Sequence, residues 1–259
     1  MKSYPLPQVV SEDIEKFVSG IMDRRRLESM YQRILEALET EGAFVEIGTG
    51  EGLTSAFIRY CLDSVFGSGR ALHVYDAFPV HDLIKNPCLP PPPTEECDVD
   101  GGISKIENTF SRLNLEAPEI HPGWFVDTLS TQLPASVAFA HIDCNLYESN
   151  MAALMNVYPR LSVGGICMID DYGLGYFPCV QKAVDEFMTG KPEKLEKTVN
   201  EIQAAFKKVA LVEEVVEQVA PQEELPVLAE VVAPPKEETA LPPAKTAKTS
   251  KNNSRGRYV

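Results

Sequence analysis

Residues 42–66 read GAFVEIGTGEGLTSAFIRYCLDSVF, an apolar run that breaks into three alternating glycines and passes straight into an amphipathic stretch. A short run this apolar fits a strand buried on both faces, and Gly48, Gly50 and Gly52 allow the backbone to turn tightly into a helix. A second run, 71-ALHVYDAF-78, ends in Asp76 and completes a strand–helix–strand unit. The rhythm continues downstream. Residues 105-KIENTFSRLNL-115 predict a helix, 118-PEIHPGWF-125 a short strand, 136-SVAFAHID-143 a strand, 149-SNMAALMNVYPRL-161 a helix, 164-GGICMIDDYG-173 a strand and 179-CVQKAVDEFMTG-190 a helix. Residues 193–209 read as a closing antiparallel pair in preference to a helix. The expected class is α/β, a doubly wound and mostly parallel sheet.

Before this unit, 11-SEDIEKFVSGIMDRR-25 and 27-LESMYQRILEALE-39 carry helical spacing, so residues 1–40 are expected to cover one face of the sheet. The main domain is expected over 41–209. Within it, residues 79–104 hold four consecutive prolines, which exclude helix and central strand and predict a lid loop. From residue 210 the composition shifts to prolines, acids and a basic end, so 210–259 is expected to be a disordered tail, either simply solvated or a docking segment for a protein partner.

The 259 residues carry a formal charge of -14 and 44% hydrophobic content, with a pI near 4.8. A large core is available, and a chain this acidic is a poor partner for nucleic acid. No membrane span and no basic–apolar leader is visible, which points to a cytoplasmic enzyme. Six scattered cysteines without a C-x-x-C pair suggest neither a zinc site nor a disulfide framework; a Cys88–Cys97 bridge in the loop is the one alternative. A homo-oligomer is compatible with the sequence.

The turn 44-FVEIGTGEGLTS-55 follows a strand and opens a helix, the place where an open α/β sheet receives a ligand. A plain strand-to-helix turn would look the same. Glu46 precedes the first glycine, and Asp76 ends the next strand, where a carboxylate can hydrogen-bond both ribose hydroxyls. The GxGxG spacing differs from the dinucleotide pattern and resembles the S-adenosylmethionine pocket of Rossmann-like methyltransferases, with Glu46, Gly48, Thr49, Gly50 and Asp76 as cofactor residues. By the same rule, Asp143, Asp170 and Asp171 reach that edge. Three clustered carboxylates repel one another unless a cation neutralises them, and an all-oxygen set suits Mg²⁺, or Mn²⁺ in its place. The alternative reading makes Asp143 a helix cap and 170-DDYG-173 a polar turn.

The run 141-HIDCNLYESNMAALMNVYPRLSVGGICMIDDYG-173, with 122-PGWFVDTL-129, resembles the macrocin O-methyltransferase (TylF-type) family. The likeness covers roughly residues 40 to 188. It implies the class I methyltransferase fold, S-adenosylmethionine and Mg²⁺, and methylation of a hydroxyl of a sugar or other small polyol or catechol-like acceptor. It places Asp143, Asp170 and Asp171 on the metal, Glu46, Gly48 and Asp76 in the cofactor pocket, and Trp124 beside the cofactor, although a core tryptophan is the plain alternative. The chain departs from the family at Asn145, where the family carries an aspartate implicated as the general base.

Residues i and i+2 of an extended segment share a face, so Asn145 should point with Asp143 toward the acceptor, but a carboxamide cannot take up a proton. Proton removal would then fall to the metal's water or to a group such as Glu148. His141 reads as a buried, satisfied histidine, and His73, His81 and His121 find no partner in the sequence. The rival reading is a catalytically weakened binding protein with a partner-recruiting tail.

Overall fold

The computed structural model of the protein describes residues 6–20, 22–67, 69–78, 97–198 and 201–210. The sheet holds seven strands: β1 (Ala43–Ile47), β2 (Leu72–Asp76), β3 (Glu119–Pro122), β4 (Val137–Ile142), β5 (Leu161–Ile169), β6 (Glu196–Lys197) and β7 (Ala204–Lys207). The helices are α1 (Gln8–Asp13), α2 (Arg24–Ala37), α3 (Leu53–Tyr60), α4 (Val99–Leu113), α5 (Phe125–Gln132), α6 (Tyr147–Val157) and α7 (Pro178–Met188). Strand order is β3-β2-β1-β4-β5-β7-β6. The first five strands run parallel, and β7 and β6 close the sheet in antiparallel fashion, as the sequence predicts.

Every residue of β4 is buried, which is why 137-VAFAHI-142 has no polar alternation to show. Two apolar clusters cover the two faces. One joins Ile14 of the 3₁₀ turn at Ile14–Lys16 and Leu27, Met30, Ile34, Phe57 and Phe110 of α2, α3 and α4 to Phe44, Phe139 and Met168; the other joins Phe125, Leu154 and Val184 of the last three helices to Val45, Ala140 and Cys167. Crossovers leave β1 toward β2 and β4 toward β5, so the chain reverses direction between β1 and β4. That switch point is where such sheets leave a crevice at the strand carboxyl ends.

Several local expectations change. The predicted helix over 11–25 breaks after a 3₁₀ turn at Ile14–Lys16 and resumes at α2, where the Asp23 carboxylate accepts from the Arg26 amide as an N-cap. The expected 79–104 loop is shorter at its far end, because α4 already starts at Val99. Asp98 caps it through the Gly101 amide, and Gly102 is tolerated inside the helix because the Phe78 ring fills the place of a side chain there. Residues 79–96, and the expected tail beyond residue 210, lie outside the described residues. Helix α5, over 125-FVDTLSTQ-132, has no counterpart in the sequence reading. Cys61, Cys97, Cys144 and Cys167 are free, which removes the Cys88–Cys97 pairing, whereas Cys179 is disulfide-bonded, contrary to the expectation of a chain without disulfides.

Candidate active site

A cleft of about 990 Å³ opens at the switch point. Its walls include Gly48, Thr49 and Gly50 from the turn after β1, Asp76 from the end of β2, Asp143 and Asn145 after β4, Asp171 after β5, and Arg26 from α2. The sequence dictates the glycine turn closely. Gly48 adopts φ +87°, and a Cβ there would lie 2.2 Å from the Asp143 carbonyl oxygen, so a side chain would push β1 away from the segment that carries the acids. The Asp76 carboxylate accepts from the Gly50 amide and the Phe78 amide, each at 2.8 Å, which ties the turn to the next strand. Burial raises the Asp76 pKa, and these amides oppose that rise.

Behind the cleft runs a buried chain of charge. Strand register sets Glu46 beside His141, and the Glu46 carboxylate accepts from His141 Nδ1 at 2.8 Å and from the Ser55 hydroxyl. On the other side, His141 Nε2 stands 3.8 Å from Asp170 Oδ2, an ion pair without a hydrogen bond. Burial works against a charged ring, but Asp170 and Glu46 outweigh it and hold the His141 pKa up at about 10, so the histidine is a cation at neutral pH. Arg26 supplies a second cation, with Nη1 3.2 Å from Asp170 Oδ1 and Nη2 2.9 Å from Asp171 Oδ1. Asp170 keeps a lowered pKa, since His141 and Arg26 overcome its burial. Asp171, pushed up by burial and by Asp170, rises to about 6 despite Arg26. Asp143 is pushed well above the carboxylate range by burial and by Asp170.

Asp171 sits in the left-handed region at φ +56°, and its Oδ2 accepts from Asn145 Nδ2 at 3.2 Å. The site residues expected from sequence therefore divide into two groups. Gly48, Thr49, Gly50, Asp76, Asp143, Asn145 and Asp171 share the cleft; Glu46 and Asp170 are buried behind it, at 0% and 1% exposure. Trp124 packs against Ala77 and Leu146 at the start of α5 and does not line the cleft, nor does Glu148. The Cys179 sulfur, held in a disulfide, lies 3.1 Å from the Asn145 carbonyl oxygen at the start of α7.

Arg26 is the residue that sequence reasoning missed. Its signal was positional: Arg26, Met30, Arg33 and Ala37 follow helical spacing on the buried stripe of α2, which carries two arginines toward the interior. The ligand atoms of Asp143, Asp170 and Asp171 do not all converge within 4.8 Å; among the described residues, the group that does is His73, Glu119 and His121.

The comparisons with known proteins agree with this architecture. A sequence model described as Macrocin-O-methyltransferase (TylF) matches residues 7–209, well beyond the 40–188 likeness read from motifs. The chain is 28% identical over 187 residues to the mycinamicin III 3''-O-methyltransferase of Micromonospora griseorubida, covering 68% of this chain and 72% of that protein. It is also 28% identical over 178 residues to the 8-demethyl-8-(2,3-dimethoxy-alpha-L-rhamnosyl)-tetracenomycin-C 4'-O-methyltransferase of Streptomyces olivaceus, covering 65% and 68%. The solved structure of the O-methyltransferase NovP superposes with a TM-score of 0.60 at 25% identity, over 73% of this chain and 81% of that one. The chain thus belongs to the macrocin O-methyltransferase (TylF) family and is an S-adenosylmethionine-dependent O-methyltransferase.

Proposed function

We propose that the enzyme methylates a hydroxyl of a sugar or similar polyol in the cytoplasm, assisted by a divalent cation, with the cofactor on the Gly48–Asp76 side of the cleft and the acceptor on the Asp143–Asp171 side. The observation that carries this reading is the cleft itself, in which a glycine turn faces a wall of Asp143, Asn145 and Asp171. These three side chains offer hydrogen-bond acceptors to a hydroxyl-bearing ligand. One relative's name gives a substrate that carries a rhamnosyl group, which supports the same acceptor class.

The donor chemistry fits a hard cation at Asp143 and Asp171. Burial and the neighbouring Asp170 push the Asp143 carboxyl well above the carboxylate range, and the buried Oδ2 of Asp170 accepts no hydrogen bond. When bound, S-adenosylmethionine supplies an electrophilic methyl and the cation supplies charge that favours an alkoxide. This chain's residues do the rest by positioning. With its amide nitrogen committed to Asp171, Asn145 presents Oδ1 as an acceptor that orients the substrate hydroxyl. Asp171, whose Oδ2 accepts from that amide at 3.2 Å, places a carboxylate beside the substrate hydroxyl. Arg26 and His141 hold Asp170 ionised and keep the loop after β5 in place.

The test is a methyl-transfer screen over glycosides, free sugars and catechols, each with Mg²⁺ and with EDTA. Turnover on a glycoside that stops in EDTA is expected. Equal turnover in EDTA would overturn the cation's role, and transfer to catechols alone would overturn the acceptor class.

A further inference from the structure

We propose that His73, Glu119 and His121 form a site for a first-row transition metal ion of the zinc type, which clasps edge strand β3 to β2. The three side chains come from one face of two paired strands: His73 lies opposite Glu119 in the register, and His121 opposite Tyr75. His73 Nδ1 is 2.6 Å from Glu119 Oε2 and 3.0 Å from His121 Nε2, and His121 Nε2 is 3.7 Å from the same carboxylate oxygen. Ligands at about 2.0–2.1 Å from a tetrahedral zinc ion stand about 3.3 Å apart, and the three separations bracket that value. Two imidazoles and one carboxylate form a donor set that such ions prefer to Mg²⁺.

The surroundings prepare the ligands. The His121 ring stacks on Tyr75 with centroids 4.5 Å apart and planes 9° apart, and its Nδ1 faces Gln132 Oε1 at 3.0 Å. That contact places the ring proton on Nδ1 and leaves the Nε2 lone pair aimed at His73 and Glu119. Without a cation, a lone pair and a carboxylate oxygen compete for a single His73 proton. Glu119 is well exposed, with 68% of its side chain accessible, so an ion reaches the cluster from solvent and keeps a position for water. The cluster is distinct from the cleft: none of the three residues lines it, and Asp76, three residues beyond His73 on β2, projects from the opposite face of the strand. Strand β3 is four residues long and pairs with β2 alone among the described strands, so a cross-strand metal bridge would act where the sheet edge is weakest.

The experiment titrates Zn²⁺ into the full chain with saturating Mg²⁺ present to fill any hard-cation site, and repeats the titration with Co²⁺ to read its visible spectrum. The expected result is one Zn²⁺ per chain, a rise in melting temperature of about 5–10 °C at a hundredfold excess over Kd, and a tetrahedral Co²⁺ band without sulfur charge transfer. His73→Ala combined with His121→Ala should abolish all three. Glu119→Gln, at an exposed position that leaves the fold intact, should weaken binding at least about tenfold. Melting in EDTA, equal for wild type and the double variant, would show that the histidine variants still fold. Absence of Zn²⁺ binding to the wild type, stoichiometry unchanged in the double variant, or a cysteine-type Co²⁺ spectrum would each overturn the proposal.

Discussion

Replacing Arg26 by methionine tests the charge network at its least replaceable member. The Arg26 side chain is 10% exposed and bridges Asp170 and Asp171 at 3.2 and 2.9 Å, and the two carboxylate side chains are 0% and 10% exposed. Methionine keeps most of the apolar stem, so the loss reports charge rather than a cavity. Removing one partner of a buried pair costs about 3–5 kcal/mol, which for a domain of this size lowers the melting temperature by about 6–20 °C. The loss should depend on pH, and its sign follows from Asp171. Because its folded-state pKa, about 6, exceeds the ordinary 3.8, the folded state binds the extra proton between those values and stability falls as pH rises through that window. Without Arg26 the window extends upward and Asp170 joins it, so Arg26→Met should be less destabilised at pH 5 than at pH 8. Thermal melting followed by circular dichroism at both pH values is sufficient. A shift below about 2 °C that is equal at the two pH values would refute the claim that Arg26 neutralises these acids.

Three further outcomes are expected. Gly48→Ala combines about 1–2 kcal/mol of left-handed strain with a clash against the Asp143 carbonyl, so titration calorimetry should show S-adenosylmethionine binding weakened at least about tenfold; unchanged affinity would remove the glycine turn from the cofactor site. Asn145→Asp replaces a donor with a like charge 3.2 Å from Asp171, which should lower the melting temperature by a few degrees in EDTA and recover in Mg²⁺; identical melting under both conditions would count against a cation there. His141, raised to about 10, contributes stability that is fully present below its ordinary 6.5 and lost as pH rises from there through 10, so His141→Gln should flatten the urea midpoint across that range, and an unaltered slope would show that the ring is not charged.

Much of this architecture was legible in the chain. The apolar runs 43-AFVEI-47, 72-LHVYD-76 and 137-VAFAHI-142 become adjacent parallel strands, and the rule that ligands collect at their carboxyl ends places Gly48, Asp76, Asp143 and Asp171 in one cleft. Helix α5 escaped because a tryptophan and a short apolar run beside a strand look like more strand. The start of α4 escaped because 101-GG-102 is a helix breaker in isolation, and only the Phe78 ring over Gly102 makes it tolerable.

Local spacing by itself determined most of the element types, the sharp turn after β1 and the acids at the strand ends, because these depend on contacts within a few residues. Tertiary structure alone decided that Glu46 faces His141 instead of the cleft, that Asp170 turns inward, and that a cation 145 residues distant in sequence, Arg26, reaches Asp171. Register between strands far apart in the chain, and the packing of α2 over the sheet, set which charges meet; no periodicity in the sequence encodes that pairing, since it is settled by how the two faces of the sheet are covered.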